Sequence, residues 1–354
     1  MSELFVHGIG AVSPAGWGVS ALRASLKSAA ALPAKKLPRP GGKTLQVRVV
    51  PPPSLKLPFF ANPRLRRTSG ISQFAVAAAL EALGEARSPR LGIVLCVMTG
   101  GVAYSRRFYD ETLRDPTTAS PVVFPETVFN APASHLAALL GAGGINYTLV
   151  GDPGTFLQGL ALAAEWLQND LADACLVVGA DEADWTTASA FRLFSRQAVL
   201  AEGAGAICLC REPPAQSAIA MRAITDSQLF FDAASRREAA RRVRAELPAS
   251  DRAELLCDSA TGVAKFDAAE RDAWKDWPGT RLSPKRFLGE GLMAGAAWQC
   301  VVAVDAVRLG LYPAAVVPVT GCNHQAIGAR FEGRITPSLR DAGAGRGQGR
   351  GEIS

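Results

Sequence analysis

Histidine is nearly missing from this chain, with three in 354 residues. His7, His135 and His324 lie far apart and share no metal-ligand spacing, so a local zinc site is excluded and each reads as structural. Cysteine is sparse and odd in number: Cys96, Cys175, Cys208, Cys210, Cys257, Cys300 and Cys322. No C-x-x-C pair exists, which excludes a zinc knuckle or a thioredoxin motif. Set mostly in apolar runs, these read as buried free thiols of a reducing compartment. A membrane-length apolar run is also lacking, because residues 291–319 are broken by Gln299, Asp305, Arg308 and Pro313. Residues 1–10 have no positive region ahead of their apolar stretch and read as a first strand, not a signal peptide. The expectation is a cytoplasmic protein with no membrane span.

Nucleotide motifs fail in turn. Gly8-Ile9-Gly10 follows a strand, but Ser13 stands at the third glycine position and no acid lies about 20 residues on to bind a ribose. There is no G-x-x-x-x-G-K-[ST] loop and no G-x-S-x-G elbow. Asp181-Glu182-Ala183-Asp184 spells a helicase-like word, yet without a phosphate loop it reads as the solvated end of a strand. No cofactor and no metal are expected. The net charge is only +6, without the basic stripe that nucleic-acid binding needs; it suits an acidic partner instead.

What is present is a large core. The chain is 48% hydrophobic and 20% charged, of a length that fits two domain-sized units or one duplicated unit. Residues 4–12 read as a strand, 19–27 as a helix, 73–86 as an Ala-rich helix and 91–97 as an apolar strand. Residues 134–140 and 156–169 read as helices, 146–150 and 174–179 as strands. Continuous apolar strands alternating with helices point to a parallel sheet covered on both faces. The second part repeats this pattern, with strands at 204–210, 217–223, 254–259, 316–320 and 326–331 and helices at 233–247 and 291–309. Residues 33–68, rich in proline and basic residues, read as a surface excursion. Residues 335–354 read as a disordered tail.

The order of segments carries a resemblance. "HGIGAVSPAGWGVSALRASL" (7–26) resembles the opening of β-ketoacyl synthases, and "SGISQFAVAAALEAL" (69–83) their first long helix. "INYTLVGDPGTFLQGLALAAEWLQNDLADACLVVGADEA" (145–183) resembles the nucleophile strand, nucleophile helix and following strand. "EGAGAICL" (202–209) matches the strand closing the first half. "LLCDSATGVAKFDAAE" (255–270) stands where the family has HGTGT. "LSPKRFLGEGLMAGAAWQCVVAVDAVRLGLYPA" (282–314) stands where it has K-S-x-x-G-H, and "TGCNHQAIGARF" (320–331) in place of its last glycine-rich loop. The resemblance implies an α/β, thiolase-like fold: two similar βαβαβαββ halves, 1–211 and 212–334, packed as α-β-α-β-α layers.

The departures bear on function. Such enzymes condense acyl chains with a cysteine at a strand-to-helix elbow, where the helix N-terminus lowers the thiol pKa and backbone N–H groups hold the oxyanion. Here Gly151, Asp152 and Pro153 occupy the elbow, which is shorter than the family's and holds no cysteine. Asp152 gains from the helix N-terminus, and Pro153 suits a first helical turn. The two histidines that polarise the malonyl thioester align with Ser259 and Glu290, and Lys285 survives. A carboxylate facing a developing enolate would repel it.

Two classes of function then compete. The resemblance is to a chain-length-factor-like subunit of type II polyketide or aryl-polyene pigment clusters, a non-catalytic partner of an active ketosynthase that shapes the acyl tunnel. Partners implied are that ketosynthase and an acyl carrier protein. Phe124, Phe129 and Asn130 align with positions that set tunnel length, against the plainer reading as core. Arg64, Arg66, Arg67, Arg106 and Arg107 are carrier-docking candidates, against the plainer reading as solvated surface charge. The competing class is an acyltransferase or decarboxylase with repurposed groups, for which Cys257 or Cys322 would line a pocket instead of packing. A homodimeric acyl-binding scaffold is the third reading.

Overall fold

A computed structural model describes residues 3–54, 57–65, 68–86, 88–214, 218–247 and 253–334. Arg66, Arg67 and the expected tail 335–354 lie outside these. The first half contains strands β1 (Leu4–Ser13), β2 (Leu91–Val97), β3 (Asn146–Val150), β4 (Ala174–Asp181) and β5 (Gly203–Cys210). Its helices are α1 (Val19–Ser28), α2 (Gly70–Leu83), α3 (Val102–Arg114), α4 (Ala131–Leu140), α5 (Thr155–Gln168) and α6 (Trp185–Phe194). The second half contains β6 (Ile219–Ile224), β7 (Leu255–Cys257), β8 (Thr280–Leu282), β9 (Ala314–Thr320) and β10 (Gln325–Gly333). With them come α7 (Ala233–Glu246), α8 (Ala264–Ala273), α9 (Pro284–Leu288) and α10 (Leu292–Arg308).

The halves repeat one another strand for strand. The first sheet runs β3-β2-β4-β5-β1 and the second β8-β7-β9-β10-β6, joined where β1 pairs with β6 at Leu4↔Met221 and Phe5↔Ala220. In each, the first three strands of that order are parallel and the remaining pairings antiparallel. The sheets are therefore mixed where a parallel one was expected. For β9 and β10 the cause is plain: the 321–324 turn returns the chain directly, with no crossover helix to restore its direction.

Helices α5 and α10 lie between the sheets, α2 and α4 cover the outer face of the first, α7 and α8 that of the second. This gives the α-β-α-β-α layering. Covered on both faces, β2 is buried at every position, which accounts for its unbroken apolar run. The apolar stretch that begins at 291 becomes α10, buried from Leu292 to Val307 because both sheets pack on it. Gln299 donates from Nε2 to the carbonyls of Cys257 and Pro318 at 3.2 and 3.1 Å, and Asp305 pairs with Arg23 at 2.6 Å. Gly8 and Gly10 serve close packing. A Cβ on either would lie 2.1 or 1.9 Å from a backbone carbonyl of α2, so only glycine admits that helix onto β1.

The sequence patterns miss α3, α6, α8, α9 and β8. Helix α3 buries none of its residues fully and β8 none of its three, so neither carries a strong apolar signature. The 33–68 excursion is more than surface. Residues 35–37, 45–48 and 200–201 form a small three-stranded sheet, and Leu45, Val47 and Leu65 are buried.

Candidate functional site

The elbow between β3 and α5 faces the 321–325 turn between β9 and β10. Helix α5 begins at Thr155 with Gly154 as its N-cap, so Pro153 precedes the cap and Asp152 lies further back. The expected helix-end role for Asp152 is replaced by a contact across the two halves. Its carboxylate is 1% exposed and accepts hydrogen bonds from the backbone N–H groups of Asn323, His324 and Gln325, each at 3.1 Å. The Cys322 thiol adds a longer contact at 3.5 Å. Gly321 is required by this arrangement, because a Cβ there would lie 1.9 Å from Asp152 Oδ2. A fixed internal anion thus saturates the backbone donors beside the elbow.

The residues aligned with the two histidines are equally committed. Lys285 Nζ lies 3.1 Å from the Glu290 carboxylate, with the two side chains 1% and 5% exposed. Glu290 also accepts from Leu292 N–H at 2.9 Å, at the start of α10. The survivor Lys285 is therefore neutralised by the residue that replaces a histidine. Ser259 donates its hydroxyl to Glu270 at 2.6 Å, and Glu270 accepts in addition from the N–H groups of Ser259 and Thr320. Burial, with Asp258 nearby, raises the Glu270 carboxyl well above its ordinary range. Arg236 donates from Nη2 to the Gly321 carbonyl at 2.9 Å. Burial lowers the Arg236 pKa, while nearby Glu270, Asp152 and Glu290 oppose that shift.

The 181–184 word proves buried, contrary to its reading as a solvated strand end. Asp181, fully buried at the end of β4, accepts from Met98 N–H, from Thr99 N–H and Oγ1, and from Met293 N–H on α10. Burial raises its carboxyl from 3.8 to about 6. Glu182 accepts from Ala103 N–H at 2.8 Å and Ile71 N–H at 3.3 Å, and burial raises it from 4.5 to about 7. Asp184 caps α6 through Thr186 N–H and pairs with Arg106. A strand end this polar looks solvated in sequence; only tertiary structure supplies the N–H donors that allow its burial. His135 pairs with Glu126 at 2.5 Å, in keeping with a structural role.

All seven thiols are raised by burial, including Cys322, where the nearby Asp152 and Glu290 charges add to it, and fully buried Cys257. None is an activated nucleophile.

The surface candidates separate. Strand β3 is a sheet edge, paired with β2 alone among the described residues, and it leaves Tyr147 and Val150 more than half exposed. Phe124 and Phe129, 54% and 46% exposed, lie in the segment before α4, so neither is core. Asn130 caps α4. Phe129 rests over Gly100, whose added Cβ would meet its ring at 2.6 Å. Arg64 is exposed on a short 3-10 turn; Arg106 is held by Asp184 and Asp110, and Arg107 by Glu111.

No family model and no curated protein matches the sequence. Solved structures do match. The ishigamide ketosynthase/chain length factor superposes with a TM-score of 0.76 at 20% identity, over 93% of this chain and 99% of that one. A type II PKS acyl-carrier protein in complex with its ketosynthase, AntDE:AntF, gives 0.76 at 16% identity, over 94% and 99%. A ketosynthase in complex with its chain length factor, ApeO and ApeC from Xenorhabdus doucetiae, gives 0.75 at 15% identity, over 94% and 98%. No helix among the described residues is long and apolar enough to cross a membrane. Duplicated sheets, a central helix pair and superposition over more than nine-tenths of the chain together establish that this chain has the thiolase-like fold of ketosynthases and chain length factors.

Proposed function

We propose that this chain is a non-catalytic, chain-length-factor-like partner of an active β-ketoacyl-ACP synthase, and that it shapes the acyl tunnel of the joint assembly. The observation that carries this reading is the Asp152 carboxylate seated on the 323–325 N–H groups at an elbow without a cysteine. Condensation needs a thiolate nucleophile and free donors for a developing oxyanion. Here both functions are filled by one immobile anion, and the Lys285–Glu290 pair replaces a neutral imidazole donor.

The edge of β3 supports a partner rather than a solitary chain. An open strand with exposed Tyr147 and Val150 is a template for pairing with a second sheet. The exposed Phe124 and Phe129 side chains then serve as the tunnel wall that the partner's substrate meets, with Asn130 beside them at the start of α4. Among the described residues, Arg64 is the docking candidate without an acidic partner, so it and Arg107, still half exposed, would face an acidic acyl carrier protein. The proposed halves are 1–211 and 212–334, and the proposed compartment is the cytoplasm. An acyltransferase or decarboxylase reading gains nothing from the thiols, all of which are held protonated.

The test is co-expression with a candidate ketosynthase partner from the same genome, purification through a tag on this chain, and native mass determination. A salt-resistant one-to-one complex supports the proposal. A stable homodimer that ignores the ketosynthase overturns it in favour of an acyl-binding scaffold.

A further inference from the structure

Behind the Ser259 turn lies a polar cavity of about 330 Å³ that the partner role does not use. Ala260, Gly262 and Ala264 keep it open, being too small to fill it; a Cβ on Gly262 would approach only Arg286 Nε, at 4.0 Å. Three carboxyl groups line it, and each already has its donors. Asp258 accepts from Ser283 Oγ and Ala260 N–H, and Asp267 from Thr261 N–H and Oγ1 and from Gly262 N–H. Glu270 accepts from Ser259 and Thr320, the contacts that hold the turn. Burial raises the carboxyls of both Asp258 and Glu270.

The other wall is cationic. Arg271 on α8, Arg281 on β8 and Arg286 on α9 converge on the cavity from three separate elements. Among the described residues none of them makes an ion pair or a side-chain hydrogen bond, and Arg281 acts on Asp258 only at longer range. Three exposed guanidinium forks without partners, arranged around one concavity, offer many N–H donors. A tetrahedral oxyanion meets that demand, since its oxygens can each accept from a different fork. A monocarboxylate would leave two of the three unanswered.

We propose that this cavity binds a phosphate group, either as the free ion or as an ester. The assignment stands on Arg271, Arg281 and Arg286 and does not depend on the partner role.

The test titrates the full chain by calorimetry with inorganic phosphate and, separately, with pantetheine 4′-phosphate, at matched ionic strength. Saturable binding is expected, with affinity at least tenfold weaker in the Arg281→Gln/Arg286→Gln variant. Arg237→Gln, an exposed arginine on α7 outside the cavity, should bind as the parent does. Urea midpoints of both variants check that the fold is kept. Tighter binding of the pantetheine ester would identify an ester arm as the natural ligand, and equal binding the free ion. Heat no greater than that of sodium chloride, or equal losses in the Arg237 and double variants, would overturn the site.

Discussion

Replacing Asp152 by alanine removes one acceptor from three backbone donors at once. Leaving a buried donor unsatisfied costs about 1–3 kcal/mol each. Gln325 is buried, while Asn323 is exposed and His324 partly so; water can therefore repair two of the three contacts. The expected destabilisation is about 3 kcal/mol, a large fraction of the roughly 5–15 kcal/mol typical of a folded protein. Asp152→Asn keeps one acceptor oxygen but turns an amide toward the donors, and about 2 kcal/mol is expected. Gly321→Ala should displace the same carboxylate, so its loss and that of Asp152→Ala should be strongly non-additive. Urea midpoints supply the cycle, and amide exchange at residues 323–325 reports the freed N–H groups. A loss below about 0.5 kcal/mol with unchanged exchange would refute the internal-anion reading.

Lys285→Met leaves Glu290 buried and unpaired and should destabilise the chain by about 3–5 kcal/mol, whereas Lys285→Met/Glu290→Leu should recover most of it; thermal melts decide. Glu182 and Asp181 have folded pKa values of about 7 and about 6, against 4.5 and 3.8 ordinarily. They stay protonated in the folded chain where the unfolded chain has released its protons. Their contribution is complete below the ordinary values and lost as the pH rises through 6 to 7, so Glu182→Gln should flatten a falling urea midpoint over that range. Phe129→Ala in the complex should lengthen the product, and an unchanged length at normal yield would remove Phe129 from the tunnel wall. Cys257→Ser and Cys322→Ser should leave product formation intact; a large loss in either would revive a repurposed enzyme.

The fold was legible because segment order and apolar runs survive where individual motifs fail. Gly8-Ile9-Gly10 failed as a nucleotide fingerprint, yet its glycines are dictated by the approach of α2 to β1. Buried β2 announced itself by composition, whereas α3, on the surface, did not. The elbow was legible as a loss, a cysteine gone from 151–153. What replaced the cysteine was not legible, because Asp152 bonds to residues about 170 positions away and no local pattern records which N–H groups will meet a carboxylate. The same holds for Asp181 and Glu182, whose polarity suggested solvent until tertiary donors surrounded them.

The most direct measurement is product formation by the purified two-chain complex in which the ketosynthase partner's elbow cysteine is changed to alanine. With both chains present and correctly paired, no elongated acyl chain should form. Restoring that cysteine while changing Asp152, Lys285 or Glu290 of this chain in folded variants should return product. Elongation that persists without the partner's cysteine would contradict a non-catalytic role and place chemistry in this chain.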